Sequence, residues 1–439
     1  MNSRRAWFVY IGAALAYFSS VLQRSSLGVA GLEAQDRFLV TAAVLSTLAV
    51  VQVIVYALLQ VPVGILIDRV GPRVLLIVGA ALMTAGQLLL ALTPEFSLAL
   101  VARLLVGMGD AATFNSALRI VVSWFTPRIA TALTQLTGTM GQLGQLLSAL
   151  PFALLLGWQG WTVSFLSAAS VAALALLLVV VFVADGPADS PRPQASQLSL
   201  VMRRLRIALA RPGTWLGFWI HYVTLPGGSV IGLLWGMPFF QEALGYSHAV
   251  SASLLMVPIF TAVVTGPLAG IVMSRFPRAR VGMVLAVLAA NTASWVILAV
   301  WPGVPPLWFI VLHMALIGLC GPASMVAFDV SRTVNPNNSL GVANGVVNVG
   351  GFTSSFLALL CVGVVLDVMD SLRIAAGAIS ELYSLDSFRV AFLGMQVVPA
   401  VGAVMLFICL HLTRNRARRH HVYRMRNSDT VLSVGTSKE

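Results

Sequence analysis

Twelve apolar runs, each about 20 residues long, dominate the sequence and leave it little choice of fold. They fall at roughly 7–30, 39–63, 74–93, 97–123, 129–156, 162–183, 213–241, 250–273, 281–301, 307–329, 340–366 and 389–412. A helix rises about 1.5 Å per residue, so each run reaches across roughly 30 Å of hydrocarbon. Only 10% of the 439 residues are charged, against about 25% in an ordinary soluble domain. The pattern predicts an all-α integral membrane protein of twelve transmembrane helices, the helix being the form that satisfies its own backbone in lipid.

Basic residues number 27, and all but Lys438 are arginine. Without a lysine inside the chain, neither a P-loop nor a Schiff-base cofactor site is available. Cys320, Cys361 and Cys409 lie singly in apolar runs with no paired spacing, so no metal site, disulfide framework or cofactor is expected. With the N-terminus placed inside, 21 basic residues fall on the inner side and only Arg37, Arg373 and Arg389 on the outer. That bias predicts two cytoplasmic termini in a multi-pass protein of the plasma (inner) membrane. It also explains the net charge of +12 through topology and anionic lipid rather than nucleic acid. The first run lacks a cleavage site and is expected to stay.

A polar stretch at 184–211, DGPADSPRPQ followed by the basic LSLVMRRLRIALAR, reads as a cytoplasmic linker with a surface-lying helix. It separates a six-helix half (1–183) from a second one (212–412), with a basic tail at 413–439. GILIDRVGPR (64–73) is echoed by GIVMSRFPRA (270–279), and GWQGWTVSF (157–165) more weakly by SFRVAF (387–392). Two echoes in the same order suggest a duplicated unit.

GILIDRVGPR resembles the loop signature between the second and third helices of the major facilitator superfamily, and RLLVGMGD (103–110) resembles that family's fourth-helix pattern. The resemblance extends over about residues 5–412. It implies two pseudo-symmetric six-helix halves that rock about a midplane site, with the first, fourth, seventh and tenth helices lining the cavity. It also implies a conformational latch built from Gly64, Asp68, Arg69, Gly71 and Arg73, with Arg119 as the partner of Asp68. YFSSVLQRSSLGVA (17–30) is similar to the first helix of the sugar-phosphate permease and anion:cation symporter groups. Those relatives usually place an acid where Gln23 stands. The Gly-Pro and Gly-Gly signature of drug antiporters is absent from the fifth span, where TGTMGQLGQLLSALP (137–151) stands instead.

Charges inside a bilayer cost several kcal/mol unless paired or hydrated, so Arg24, Arg103 and Asp110 are the first candidates for function. Arg103, Gly107 and Asp110 share one helix face by spacing. Two buried guanidinium groups need a counter-charge, which either Asp110 or an anionic substrate supplies. Asp110 is accordingly either the coupled-proton site or a structural partner of Arg103. His313, like His221, is an intramembrane histidine able to carry a proton. The seventh span is interrupted at Pro226, Gly227 and Gly228 and again near Pro238, which favours a cavity-lining gate walled by Trp235 and Phe239. Gln142 in the fifth span and Asn344 and Asn348 in the eleventh are positioned to bind substrate or to join helices. Asp329 with Arg332 reads as a local pair.

The sequence therefore predicts a secondary transporter, not an enzyme, working as a monomer on a small organic solute. An anion carried with protons leads. Proton-coupled efflux of amphipathic compounds is the alternative, and a transporter-like membrane sensor the reading from another class.

Overall fold

The computed structural model describes residues 2–187, 198–276, 279–335 and 340–413; the rest of the linker, Lys438 and the basic tail lie outside the described residues. Among the described residues every regular element is a helix. The first half comprises α1 (Arg4–Val29), the short α2 (Gly31–Phe38), α3 (Ala42–Val70), α4 (Pro72–Leu92), α5 (Phe96–Trp124), α6 (Pro127–Leu147) and α7 (Ala153–Phe182). The linker helix α8 (Leu198–Leu209) follows and lies against α9 and α15. The second half runs through α9 (Pro212–Thr224), α10 (Pro226–Val230), α11 (Gly236–Pro238), α12 (His248–Arg275), α13 (Arg280–Val300), α14 (Leu307–Val334), α15 (Leu340–Ala375), α16 (Leu385–Met395) and α17 (397–413).

Local chemistry sets the ends of these helices. Ser3, Thr41, Ser247 and Ser384 each accept a backbone N–H from the first turn, as N-caps do. Proline opens α4, α6 and α9, where its missing N–H costs nothing. Gly71 alone makes the turn between α3 and α4, at a φ of +85°. A side chain there would be strained and would also overlap Asp185.

Ten described stretches are long and apolar enough to cross a membrane, and the bent seventh segment makes an eleventh. One of the ten, Leu136–Phe182, holds 47 residues. As a straight helix it would run about 70 Å, more than twice the bilayer. It is divided at Gly160, whose φ is +73°, and the indole of Trp161 then donates to the Leu90 carbonyl at 2.9 Å. With that division the helices accord with the twelve crossings expected. The seventh segment breaks where proline and glycine predicted: α9 and the chain from Pro226 to Ala243 meet at 43°, with π-helical turns at Ile231–Trp235 and Phe239–Ala243.

We call the face that carries Arg4 and the Gly71 turn proximal, and the opposite face distal. At the distal face a single apolar core joins the two halves, running from Leu27 and Leu45 through Phe152 and Trp161 to Trp235, Phe239, Leu359 and Phe388. Towards the proximal face the core splits into three. One part, around Val9, Ile120, Phe125 and Val179, belongs to the first half, as does a smaller one around Tyr56, Ile67, Leu75 and Ala111, on which Phe352 of the second half packs; the third, around Ile220, Val284, Val326 and Leu406, belongs to the second half. The molecule is thus closed distally and divided proximally.

Polar contacts across the seam agree. Asp367 at the distal end of α15 accepts the backbone N–H groups of Ala42 and Ala43, each at 2.8 Å. His248 Nε2 meets the Ala153 carbonyl at 2.8 Å, and Tyr383 donates to Gln35. A methyl group on Gly28 would overlap the Gly232 carbonyl, so α1 and the broken seventh segment touch backbone to backbone.

Two local expectations are corrected. Asp329 pairs with Arg280 at 2.5 Å, because the α13–α14 packing brings that guanidinium closer than Arg332 on its own helix. Gly64 of the expected latch, where a small residue in a span would ordinarily permit close helix approach, has nothing within 4 Å of where a Cβ would stand; the proximal end of α3 is open here.

Candidate functional site

Halfway along α5, Asp110 is 1% exposed, about 21 Å from the start of the helix. Arg24 on α1 grips it with two parallel hydrogen bonds, Nε to Oδ2 at 2.6 Å and Nη2 to Oδ1 at 2.8 Å. Ser20, one turn before Arg24, donates to Oδ1 as well. Thr113, one turn after Asp110, donates to the Asp110 carbonyl and lies 2.8 Å from Ser20 Oγ. Two helices therefore each present a residue and its neighbour one turn away, and the four side chains interlock. The fork geometry is the strong, charge-assisted form of the arginine–carboxylate bond.

The pair stands at the seam. The Arg24 guanidinium lies over the ring of Tyr56 at 4.8 Å, and its side chain remains 20% exposed. Tyr56, on α3, packs its ring 4.5 Å from Phe352 of α15. Asn348, one turn earlier on α15, is a neighbour of its hydroxyl. Half-buried Asn115 donates to Gln60 at 3.2 Å on the same side, and Tyr17 packs on Phe114 at 4.8 Å. On α6, Gln142 and Gln145 are half-buried, and Gln145 approaches Gly232. Half-exposed amides at mid-membrane depth require water or protein, not lipid.

Arg103 occupies a different environment. It is 1% exposed and donates to the Gln52 side-chain oxygen and to the carbonyls of Leu48, Gln23 and Arg24. Gly107 lets α3 come this close, since a methyl there would meet the Gln52 carbonyl at 2.8 Å. Spacing had suggested that Asp110 pairs with Arg103; it pairs with Arg24. Gln23, standing where an acid was noted in relatives, is fully buried, donates to Ala168 and accepts from Gln87. It braces α1 against α4 and α7.

The remaining candidates are placed as follows. Trp235 and Phe239 are fully buried in the distal core. Trp235 donates to the Leu359 carbonyl at 3.0 Å, and Phe239 packs on Phe388 and Phe392. In this conformation they do not face the cleft. His313 is buried against α13, its Nδ1 2.9 Å from Ser294 and its ring edge-on to Trp295, away from Asp110. His221, by contrast, lies near the seam, with Nδ1 2.7 Å from Ser324 and Asn348 as a neighbour of its ring. Asn344 is half-buried, and its Oδ1 has no partner among the described residues.

At the proximal end the side chain of Asp68 lies outside the described residues, Arg69 is exposed, and Arg119 is half-buried on the last turns of α5. Arg73 is tied within its own half: its backbone N–H bonds Asp185 at 2.8 Å and its guanidinium donates to the Val180 carbonyl at 3.0 Å.

Sequence reading missed Ser20, Gln52, Tyr56 and Thr113. The signal for two of them was present in register, since Ser20 and Arg24 are four apart and Asp110 and Thr113 three apart.

A membrane-spanning helical bundle in two halves, closed on one face and holding an ion pair at the seam, is the architecture of a secondary transporter. The family model of the major facilitator superfamily matches residues 13–359, and the chain belongs to that family. It is a membrane transporter, not an enzyme. It is 22% identical over 382 residues to the uncharacterized transporter YybO of Bacillus subtilis (strain 168), covering 82% of this chain and 86% of that protein. It is 30% identical over 114 residues to a probable L-galactonate transporter of Escherichia coli (strain K12). That second match spans only a quarter of either chain. Among solved structures it is similar to a bacterial homologue of the human lysosomal transporter Spinster. In the inward-facing, unoccupied form the TM-score is 0.71 at 16% identity, covering 93% of this chain and 98% of that one. The occupied form gives 0.69.

Proposed function

We propose that this transporter takes up a small organic anion together with protons, with Arg24 as the anion-binding group and Asp110 as the proton carrier. The observation behind the reading is the two-pronged Arg24–Asp110 bond at the seam. A guanidinium fork that fits the Asp110 carboxylate fits a substrate carboxylate equally well. Protonation of Asp110 removes its claim on the fork, and an incoming anion replaces it. Departure of the anion leaves Arg24 free to recapture the aspartate, which expels the proton. Buried charge is never left uncompensated, which a low-dielectric site requires.

The sugar acid in the name of the Escherichia coli relative is a carboxylate of this kind. The arginine excess on the proximal side supports placing that face in the cytoplasm of a plasma (inner) membrane, which makes the described conformation open to the inside. The Gly64–Arg73 signature with Arg119 then serves as the latch that holds the cytoplasmic side shut in the opposite state. Asn348, Asn344 and Gln142 supply neutral hydrogen bonds to the solute.

The test is uptake of labelled sugar acids into liposomes carrying the purified protein under an inward proton gradient. Arg24→Gln is expected to lower uptake by on the order of a hundredfold. Extrusion of lipophilic cations, with no movement of organic acids, would overturn the proposal in favour of efflux.

A further inference from the structure

The ionisable groups around Asp110 are few, and each has a fixed place. Facing it are Arg24 and Tyr17 from α1 and Tyr56 from α3, with Arg103 on its own helix. Of the two cations, only Arg24 has an edge toward the cleft. Arg103 is sealed behind Gln52 and three backbone carbonyls, at 1% exposure. Across the seam, α15 offers Asn344, Asn348 and Phe352, none of them charged.

One more titratable group stands near this wall, His221 on α9. It is buried, its Nδ1 is engaged by Ser324, its ring packs edge-on to Phe328 at 5.1 Å, and a methyl on Gly351 would collide with it. No carboxylate from α14 or α15 is bonded to it among the described residues. A second proton there would have no counter-charge.

From this arrangement, and resting on the proposed role of Arg24 and Asp110, we infer that the site accepts a monovalent anion and moves it with one proton, so that transport is electroneutral. One carboxylate is exchanged for another on a single guanidinium fork. The proton taken up by Asp110 balances the one negative charge that replaces it. A second acidic group on the substrate would enter a wall that, among the described residues, offers amides and hydroxyls but no second fork, and would remain unpaired there. Neutral hydroxyls suit that wall, since each amide both donates and accepts. The class of substrate is therefore a hydroxylated monocarboxylate, selected against dicarboxylates and phosphate esters of the same skeleton.

The experiment measures the equilibrium accumulation of a sugar monocarboxylate in liposomes, with the pH gradient and the membrane potential (potassium and valinomycin) set separately. One proton per anion predicts that accumulation rises about tenfold for each pH unit and does not respond to the potential. The matching dicarboxylate and phosphate ester are expected to compete more weakly by on the order of a hundredfold. His221→Gln should leave the slope at tenfold. Accumulation that follows the potential, a slope near a hundredfold per pH unit, a slope altered by His221→Gln, or equal transport of the dicarboxylate would overturn the inference while leaving proton-coupled anion uptake in place. Failure of every organic acid to accumulate would overturn the underlying reading, and the inference with it.

Discussion

Arg24 and Arg103 are the same residue type at neighbouring depths, yet their surroundings give them different work. Arg24 holds a carboxylate and keeps contact with the seam, whereas Arg103 is satisfied by carbonyls and one amide oxygen. The latter is a structural solution to a buried charge, and it depends on Gln52. Gln52→Leu removes the side-chain acceptor and is expected to cost about 1–3 kcal/mol of stability, read as a lower melting temperature in detergent. An unchanged melting temperature would show that the carbonyls suffice. The sequence marked Arg24, Arg103 and Asp110 as the charges needing explanation, and spacing then matched Asp110 with the wrong arginine. Arg103 and Asp110 share a face, but seven residues of helix separate them by about 10 Å along the axis, too far for a direct bond. The true partner comes from another helix, and only the crossing of α1 over α5 shows which. Gln52 and Ser20 were hidden for a simpler reason: many uncharged polar residues lie in the spans, and nothing along the chain shows which of them meets a buried charge.

Among the elements, the seam between α3 and α15 carries the distal closure. Asp367 places its carboxylate on the first two free N–H groups of α3, where the helix dipole also favours negative charge. The bond joins the two halves, so opening the distal face must break it. Asp367→Ala is expected to remove about 1 kcal/mol from the closed form, a roughly fivefold shift in population toward the distally open one. Labelling of a cysteine introduced on the distal end of α15 checks this, and no change in labelling rate would mean that the apolar core alone holds the face shut. The breaks within elements were legible where proline and glycine cluster, as at 226–228. A lone glycine was harder to read. Residues 157–161 read as a short gap between runs, whereas the helix continues to Gly160 and turns there on one positive φ. Nothing local to Asp367 in the sequence reveals that it meets the end of a helix more than 300 residues away.

At the scale of the whole molecule, one core shared by both halves at the distal face and separate ones towards the proximal face describe a single state of a carrier that must visit at least two. The sequence disclosed the apolar helical spans and the family fold because both are carried by composition and motif along the chain. It did not disclose the state, since the same residues must pack acceptably in both. The central claim is that the Arg24–Asp110 bond couples proton to solute. It is tested most directly by following internal pH in liposomes while a saturating organic acid is added outside, for the wild type and for Asp110→Asn. The account predicts substrate-driven acidification by the wild type. The variant, whose amide cannot carry the proton, should exchange labelled substrate across the membrane without moving the pH. Substrate-driven acidification of undiminished size in Asp110→Asn would contradict it.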